Sequence, residues 1–239
     1  MSADLASEIA RRRVDILETV ADAAARAGRR PEDVALMAVT KTHSADVVRL
    51  AARAGIARFG ENRVQEGAPK VQALQGELPH VEWRLIGPLQ TNKAKTALQW
   101  FQVVETLDRE RLAQRLESLL QADGGGRVLP VLLEINVGGE ASKSGAAVAE
   151  AERLLSAALA CTHLDVRGLM TVPPYDEDPE RSRPHFAALR ELRDRLARSS
   201  GRPLPELSMG MSHDFAVAVE EGATEIRVGT ALFGAREAP

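Results

Sequence analysis

Eight short apolar runs, each too brief for a helix, alternate with segments whose apolar residues recur at helical spacing. This alternation limits the fold more than any other feature. The runs cover residues 35–41, 57–62, 83–88, 103–107, 128–137, 165–172, 206–211 and 225–230. The clearest helical patterns are at 109–120 with Leu112, Leu116 and Leu119, at 144–160 with Val148, Ala151 and Leu155, and at 182–198 with Phe186, Leu189 and Leu196. A further amphipathic helix is expected over 3–27, with Leu5, Ile9, Ile16, Val20, Ala23 and Ala27 on one face and Gly28 as its stop. Ser44 is placed to cap a helix that ends near Gly55.

Strands that alternate with helices pair in parallel through crossover connections, and eight such units close a barrel. An open doubly wound sheet is the competing arrangement. It is disfavoured because the first strand runs into Thr40-Lys41-Thr42-His43, with no glycine to admit a pyrophosphate. The expected fold is a single α/β domain over residues 1–239, a (β/α)8 TIM-type barrel with an additional N-terminal helix. Little sequence follows the eighth strand, and the N-terminal helix is expected to stand where a closing helix would. Residues 122–126, with three consecutive glycines, and 173–184, rich in proline and acid, read as loose loops.

The charge balance narrows the functional classes. Lys and Arg number 31 against 34 Asp and Glu, a net charge of −3, so nothing favours a nucleic-acid or membrane partner. Arg11, Arg12 and Arg13 stand among acids near the N-terminus, unlike a signal peptide or a membrane span. Cys161 is the single cysteine, which excludes an intramolecular disulfide and fits a reducing, cytoplasmic location. The five histidines show no ligand spacing, and no metal site is expected.

In a barrel of this kind functional side chains collect at the C-terminal ends of the strands, and phosphate commonly binds after strands seven and eight. Lys41 ends strand one, where it is either a solvated surface charge or a partly desolvated amine free to attack an aldehyde, and its neighbours must decide. Asn62 ends strand two. Strand seven ends in Ser208-Met209-Gly210-Met211-Ser212, and strand eight contains Arg227-Val228-Gly229-Thr230. The small residues and hydroxyls of these two loops suit an anion held by backbone N–H groups, although Gly210 and Gly229 equally suit tight packing at strand ends. Arg227 alternates with Ile226 and Val228, which points it into the barrel. There it either pairs with an acid or faces an aromatic nitrogen. Lys143, after the fifth strand, is either a second cofactor-handling lysine or a solvated loop charge. His43 and His213 follow functional strands but are expected at the surface, and Tyr175 sits in a polar loop ill suited to a fixed catalytic base.

Seven blocks in order, from Val34 onward, resemble the pyridoxal phosphate homeostasis protein family. They are Ala38 to Lys41, Phe59 to Glu66, Trp83 to Lys93, Ser142 to Gly145, Arg167 to Met170, Leu207 to Ser212 and Arg227 to Gly234. That family is similar to the N-terminal barrel domain of alanine racemase standing alone, usually as a monomer. The resemblance implies pyridoxal 5′-phosphate linked as a Schiff base to Lys41, with Arg227 toward the pyridine nitrogen. It further implies Ser212, Gly229 and Thr230 at the phosphate and Asn62, Ser208 and Met209 around the ring. His213 stands where an acidic or small residue is expected. The implied role is intracellular vitamin B6 homeostasis, holding the cofactor and releasing it to pyridoxal-phosphate-dependent apoenzymes without substantial catalysis. A racemase or decarboxylase of the same fold is the alternative, but no second acid/base group beside Lys41 is evident.

Overall fold

In the computed structural model, described here for residues 2–140 and 143–234, nine strands and nine α-helices alternate along the chain. The strands are β1 (Ala35–Val39), β2 (Arg58–Glu61), β3 (Glu82–Leu85), β4 (Val103–Leu107), β5 (Leu129–Asn136), β6 (Ala146–Ala147), β7 (Leu164–Met170), β8 (Glu206–Ser208) and β9 (Glu225–Val228). The helices are α1 (Ser2–Arg26), α2 (Ala45–Arg53), α3 (Val64–Leu74), α4 (Ala94–Trp100), α5 (Glu110–Asp123), α6 (Ala151–Leu159), α7 (Arg183–Ser200), α8 (Phe215–Glu220) and α9 (Thr230–Phe233).

Every pairing is parallel, and the ring runs β1-β2-β3-β4-β5-β7-β8-β9 before β9 returns to β1. That is the closed eight-stranded TIM-type barrel the alternation predicts. The ninth strand, β6, lies outside the ring and pairs only with the end of β5, through Ile135–Ala146 and Asn136–Ala147. It replaces the start of the helix expected over 144–160, and α6 begins only at Ala151 after a short 3₁₀ turn. Gly145 explains the difference. Its φ of 106° belongs to the region that favours glycine, and a Cβ there would lie 2.8 Å from the Asn136 nitrogen, so only glycine brings the chain close enough to pair.

Local chemistry sets the helix ends. Ser44 Oγ accepts the Val47 N–H and caps α2. Past α1, Arg29 N–H reaches back to Ala24 C=O while Gly28 takes φ 65°, which ends the helix as anticipated. Helix α1 packs on α8, α9 and α2, in the place a full closing helix would fill. Its buried face carries Ile9, Ile16, Val20 and Ala23. No helix among the described residues is long and apolar enough to cross a membrane.

Pairing of β8 continues past its end: Met209 N–H donates to Glu225 C=O and Arg227 N–H to Gly210 C=O. The eighth ring strand, expected to reach Thr230, stops at Val228. The N–H groups of Leu232 and Phe233 both turn back to Gly229 C=O, so Thr230 opens the short helix α9 instead of extending the strand.

Candidate active site

The barrel interior holds charge rather than only branched apolar side chains. Arg84 on β3 is 1% exposed and its Nη1 donates to Glu105 on β4 (3.1 Å), Glu206 on β8 (2.9 Å) and Glu225 on β9 (3.2 Å). Arg58 adds a bond to the other oxygen of Glu225 (2.9 Å). Burial favours protonation of Glu105, yet its hydrogen bond with Glu225 and the charges of Arg84 and Arg227 overcome this and hold it below the usual carboxylate range. Burial, with the Glu105 charge beside it, instead holds Glu225 well above that range.

The network climbs toward the C-terminal rim. Ser208 Oγ donates to Glu105 (2.6 Å) and accepts from Arg227 Nη1 (2.7 Å), and Arg227 Nη2 donates to Thr171 C=O (2.6 Å). Arg227 does point inward, as its alternation with the buried Ile226 and Val228 predicts. Among the described residues Arg227 forms no direct ion pair; Ser208 links it to Glu105, and its guanidinium borders the cavity above.

That cavity, about 650 Å³, opens at the C-terminal ends of the strands. Six sequence-predicted residues line it: Lys41, Asn62, Ser212, Arg227, Gly229 and Thr230. Ser208 and Met209 do not line it; both are fully buried, Met209 in the apolar core, and Ser208 meets the cavity through Arg227. Val172, Tyr175 and His213 are lining residues that the sequence reading set aside or passed over. The Tyr175 and His213 rings lie 4.8 Å apart at the rim. Their place after strand ends was the available signal, but only the fold turns those loops inward. His43, rather than lying free at the surface, is half-buried against Phe233 with ring centroids 4.4 Å apart. Lys143 is tied to Pro173 C=O (2.7 Å) and Glu140 (3.0 Å) and is not among the residues that line the cavity. Ser142 lies outside the described residues.

Lys41 is presented by a tight turn in which His43 N–H donates to Thr40 C=O (3.0 Å). Thr42 takes φ 69°, a conformation that costs a β-branched residue about 1–3 kcal/mol and persists only where its surroundings enforce it. Across the cavity, Ser212 Oγ accepts the N–H groups of both Gly229 and Ala231 at 3.2 Å. Both N–H groups turn onto this one hydroxyl, which ties the loop after β8 to the start of α9 beside the cavity. The two glycines have different reasons. At Gly210 (φ 93°) a Cβ would lie 2.6 Å from the Ala218 Cβ, which is a packing requirement. At Gly229 it would meet only Val39 at 3.7 Å, so packing does not demand glycine there. Asn62 Oδ1 and His213 Nε2 are buried in the wall without a hydrogen-bond partner among the described residues, Asp214 standing 3.6 Å from the latter. On β5, Glu134 is pushed up to about 7 by burial and by Asp108, against the pull of Arg227.

An eight-stranded parallel barrel with a lysine after its first strand and small-residue, hydroxyl-bearing loops after its last two, all lining one cavity, defines a class. The chain matches the family described as alanine racemase, N-terminal domain, over residues 16–237. Its fold is shared with alanine racemase of Clostridium difficile, at TM-score 0.71 and 14% identity over 93% of this chain and 56% of that one. Much nearer in sequence are two others. The pyridoxal phosphate homeostasis protein of Aquifex aeolicus is 45% identical over 222 residues, 93% of this chain and 96% of that one. PipY of Synechococcus elongatus, solved with PLP bound, is 36% identical at TM-score 0.78, covering 90% of this chain and 100% of its own. The chain belongs to the pyridoxal phosphate homeostasis protein family.

Proposed function

We propose that the chain holds pyridoxal 5′-phosphate as a Schiff base on Lys41 and serves vitamin B6 homeostasis, yielding the cofactor to apoenzymes without substantial turnover of its own. The observation that carries this reading is the meeting of Lys41, Arg227 and the Ser212–Gly229–Thr230 group in one cavity. PipY, which binds PLP, supports it as a family relative.

The residues present fit the group. When bound, pyridoxal phosphate supplies an aldehyde and a conjugated ring that can act as an electron sink. Lys41 would supply the amine that condenses with that aldehyde, with loss of one water. Ser212, Gly229 and Thr230 would hold the phosphate, the two hydroxyls serving as donors. Arg227, fixed by Ser208 and Thr171, offers a charged donor to the ring nitrogen and keeps it unprotonated, which weakens the electron sink. Asn62 Oδ1 and His213 Nε2 gain polar partners from the bound group or its waters.

The cavity is poorly equipped for racemisation or decarboxylation. Val172 and Tyr175 at its rim are 39% and 72% exposed, so water has access and Tyr175 is not held as a fixed acid or base. The test is a visible spectrum of purified protein before and after borohydride, followed by peptide mapping. The expected result is a yellow protein whose adduct maps to Lys41 and is lost in Lys41→Ala. An adduct on Lys143 instead would overturn the assignment.

A further inference from the structure

Thr40, the residue before Lys41, is fully buried and has every polar atom engaged. Its N–H donates to Gly60 C=O (3.0 Å) and its hydroxyl to Glu61 Oε1 (2.6 Å). Its carbonyl accepts twice, from His43 N–H (3.0 Å) within the turn and from Lys70 Nζ (2.7 Å) on α3. The same Lys70 ammonium also meets Glu61 Oε1 (2.5 Å). Lys70 and Glu61 side chains are 9% and 0% exposed.

These groups lie behind the barrel wall. A Cβ on Gly60 would strike Met37 and Ile86, and Ile86 lines the cavity. Glu61, next along β2, therefore projects to the other side, where its Cβ and Cγ face Gly67 of α3. Lys70 thus does not reach the cavity; it acts on the chain that leads into it.

The geometry points to Lys70 as a positioning residue for Lys41: together with Glu61 it pins Thr40 and so fixes the strained turn that presents the Lys41 amine to the cavity. A buried ion pair that only fastened α3 to β2 would add little to stability, because removing two charges from water offsets most of their attraction. The bond from Lys70 to the Thr40 carbonyl gives this pair another use. That carbonyl is also the acceptor that closes the turn around Thr42, whose left-handed backbone needs such enforcement. Lys70 holds the acceptor in place while Glu61 holds both Lys70 and the Thr40 hydroxyl.

The part of this inference that concerns cofactor capture rests on the Schiff-base reading, so the experiment has two arms. The first follows amide hydrogen exchange by NMR in the full chain without cofactor. In Lys70→Met the His43 amide is expected to exchange about ten-fold faster, the scale of one lost hydrogen bond to a charged group, while Ala38 within β1 is unchanged. The second arm measures cofactor trapped on Lys41 by borohydride at sub-saturating pyridoxal phosphate, with an expected loss of about ten-fold. Lys70→Arg, which keeps charged donors, restores both; a merely structural role would show no such link between turn and capture. Should Lys70→Met not fold, Lys70→Gln, too short to reach both acceptors, takes its place with the same expected direction. Unchanged His43 exchange, or faster exchange with undiminished trapping, overturns the inference. A wild-type chain that traps nothing on Lys41 sinks the functional reading instead, and the exchange arm still decides whether Lys70 holds the turn.

Discussion

Arg227 Nη1 donates to Ser208 Oγ at 2.7 Å, and this bond connects the cavity wall to the ionic network in the barrel interior. Ser208 passes the connection to Glu105, and Glu105 to Arg84 and Glu225. The Ser208 hydroxyl accepts from the cation and donates to the anion, so it links Arg227 to Glu105 without direct contact.

Ser208→Ala therefore leaves one donor of Arg227 and one acceptor of Glu105 buried without this partner. The expected cost is about 1–3 kcal/mol of folding stability, measured by urea denaturation. Cofactor retention should fall as well, since Arg227 loses one of its two anchors. Wild-type stability and retention in the variant would show that the hydroxyl is replaceable.

The proposed phosphate site makes unequal demands on its two hydroxyls. Ser212 Oγ organises the N–H groups of Gly229 and Ala231, whereas Thr230 is exposed and opens α9. Each alanine variant is expected to weaken retention of pyridoxal phosphate by about 1–2 kcal/mol, with Ser212→Ala the more severe. Equilibrium dialysis of both variants checks the order, and unchanged affinity in both would move the phosphate elsewhere.

Glu134 gives the fold a pH dependence. In the unfolded chain its carboxyl titrates near its ordinary value, 4.5, but in the fold it is pushed up to about 7. Between these values the native state binds the extra proton, so this group's contribution is complete below the lower value and declines as pH rises toward the upper one. Glu134→Gln, which stays neutral, should recover up to about 3 kcal/mol above pH 7 and change little below pH 4.5. Parallel pH–stability curves for wild type and variant would rule this out.

Fully loaded protein should show at most slow background turnover of alanine, serine or lysine in a chiral assay, with Lys41→Ala as control. A positioned second acid/base group is worth ~10²- to 10⁴-fold, and Tyr175, 72% exposed at the open rim, is not fixed to supply it. Turnover near ~10 s⁻¹, the middle of the usual enzyme range, that disappears in the control would favour the racemase or decarboxylase alternative.

The sequence by itself determined what depends on near neighbours along the chain. Strand and helix periods specify the alternating elements, and their alternation specifies a parallel ring. Period-two alternation around Arg227 aims it inward, and Ser44 and Gly28 mark helix ends through their own backbone chemistry. The ordering of Lys41 and the two small-residue loops at strand ends was readable for the same reason. Tertiary structure decided what depends on residues far apart in the chain. Ser208 lies 103 residues from its partner Glu105, and Lys70 lies 30 from the Thr40 carbonyl it holds. β6 exists because Gly145 lets a later segment approach β5, and Thr230 enters a helix because backbone bonds turn around Gly229. Ser208 and Met209 are buried away from the cavity while Tyr175 and His213 come to its rim, although all four follow or end strands in the sequence. Depth along the barrel axis is set by strand register and by what the opposite strands present, and the period of a single strand carries neither.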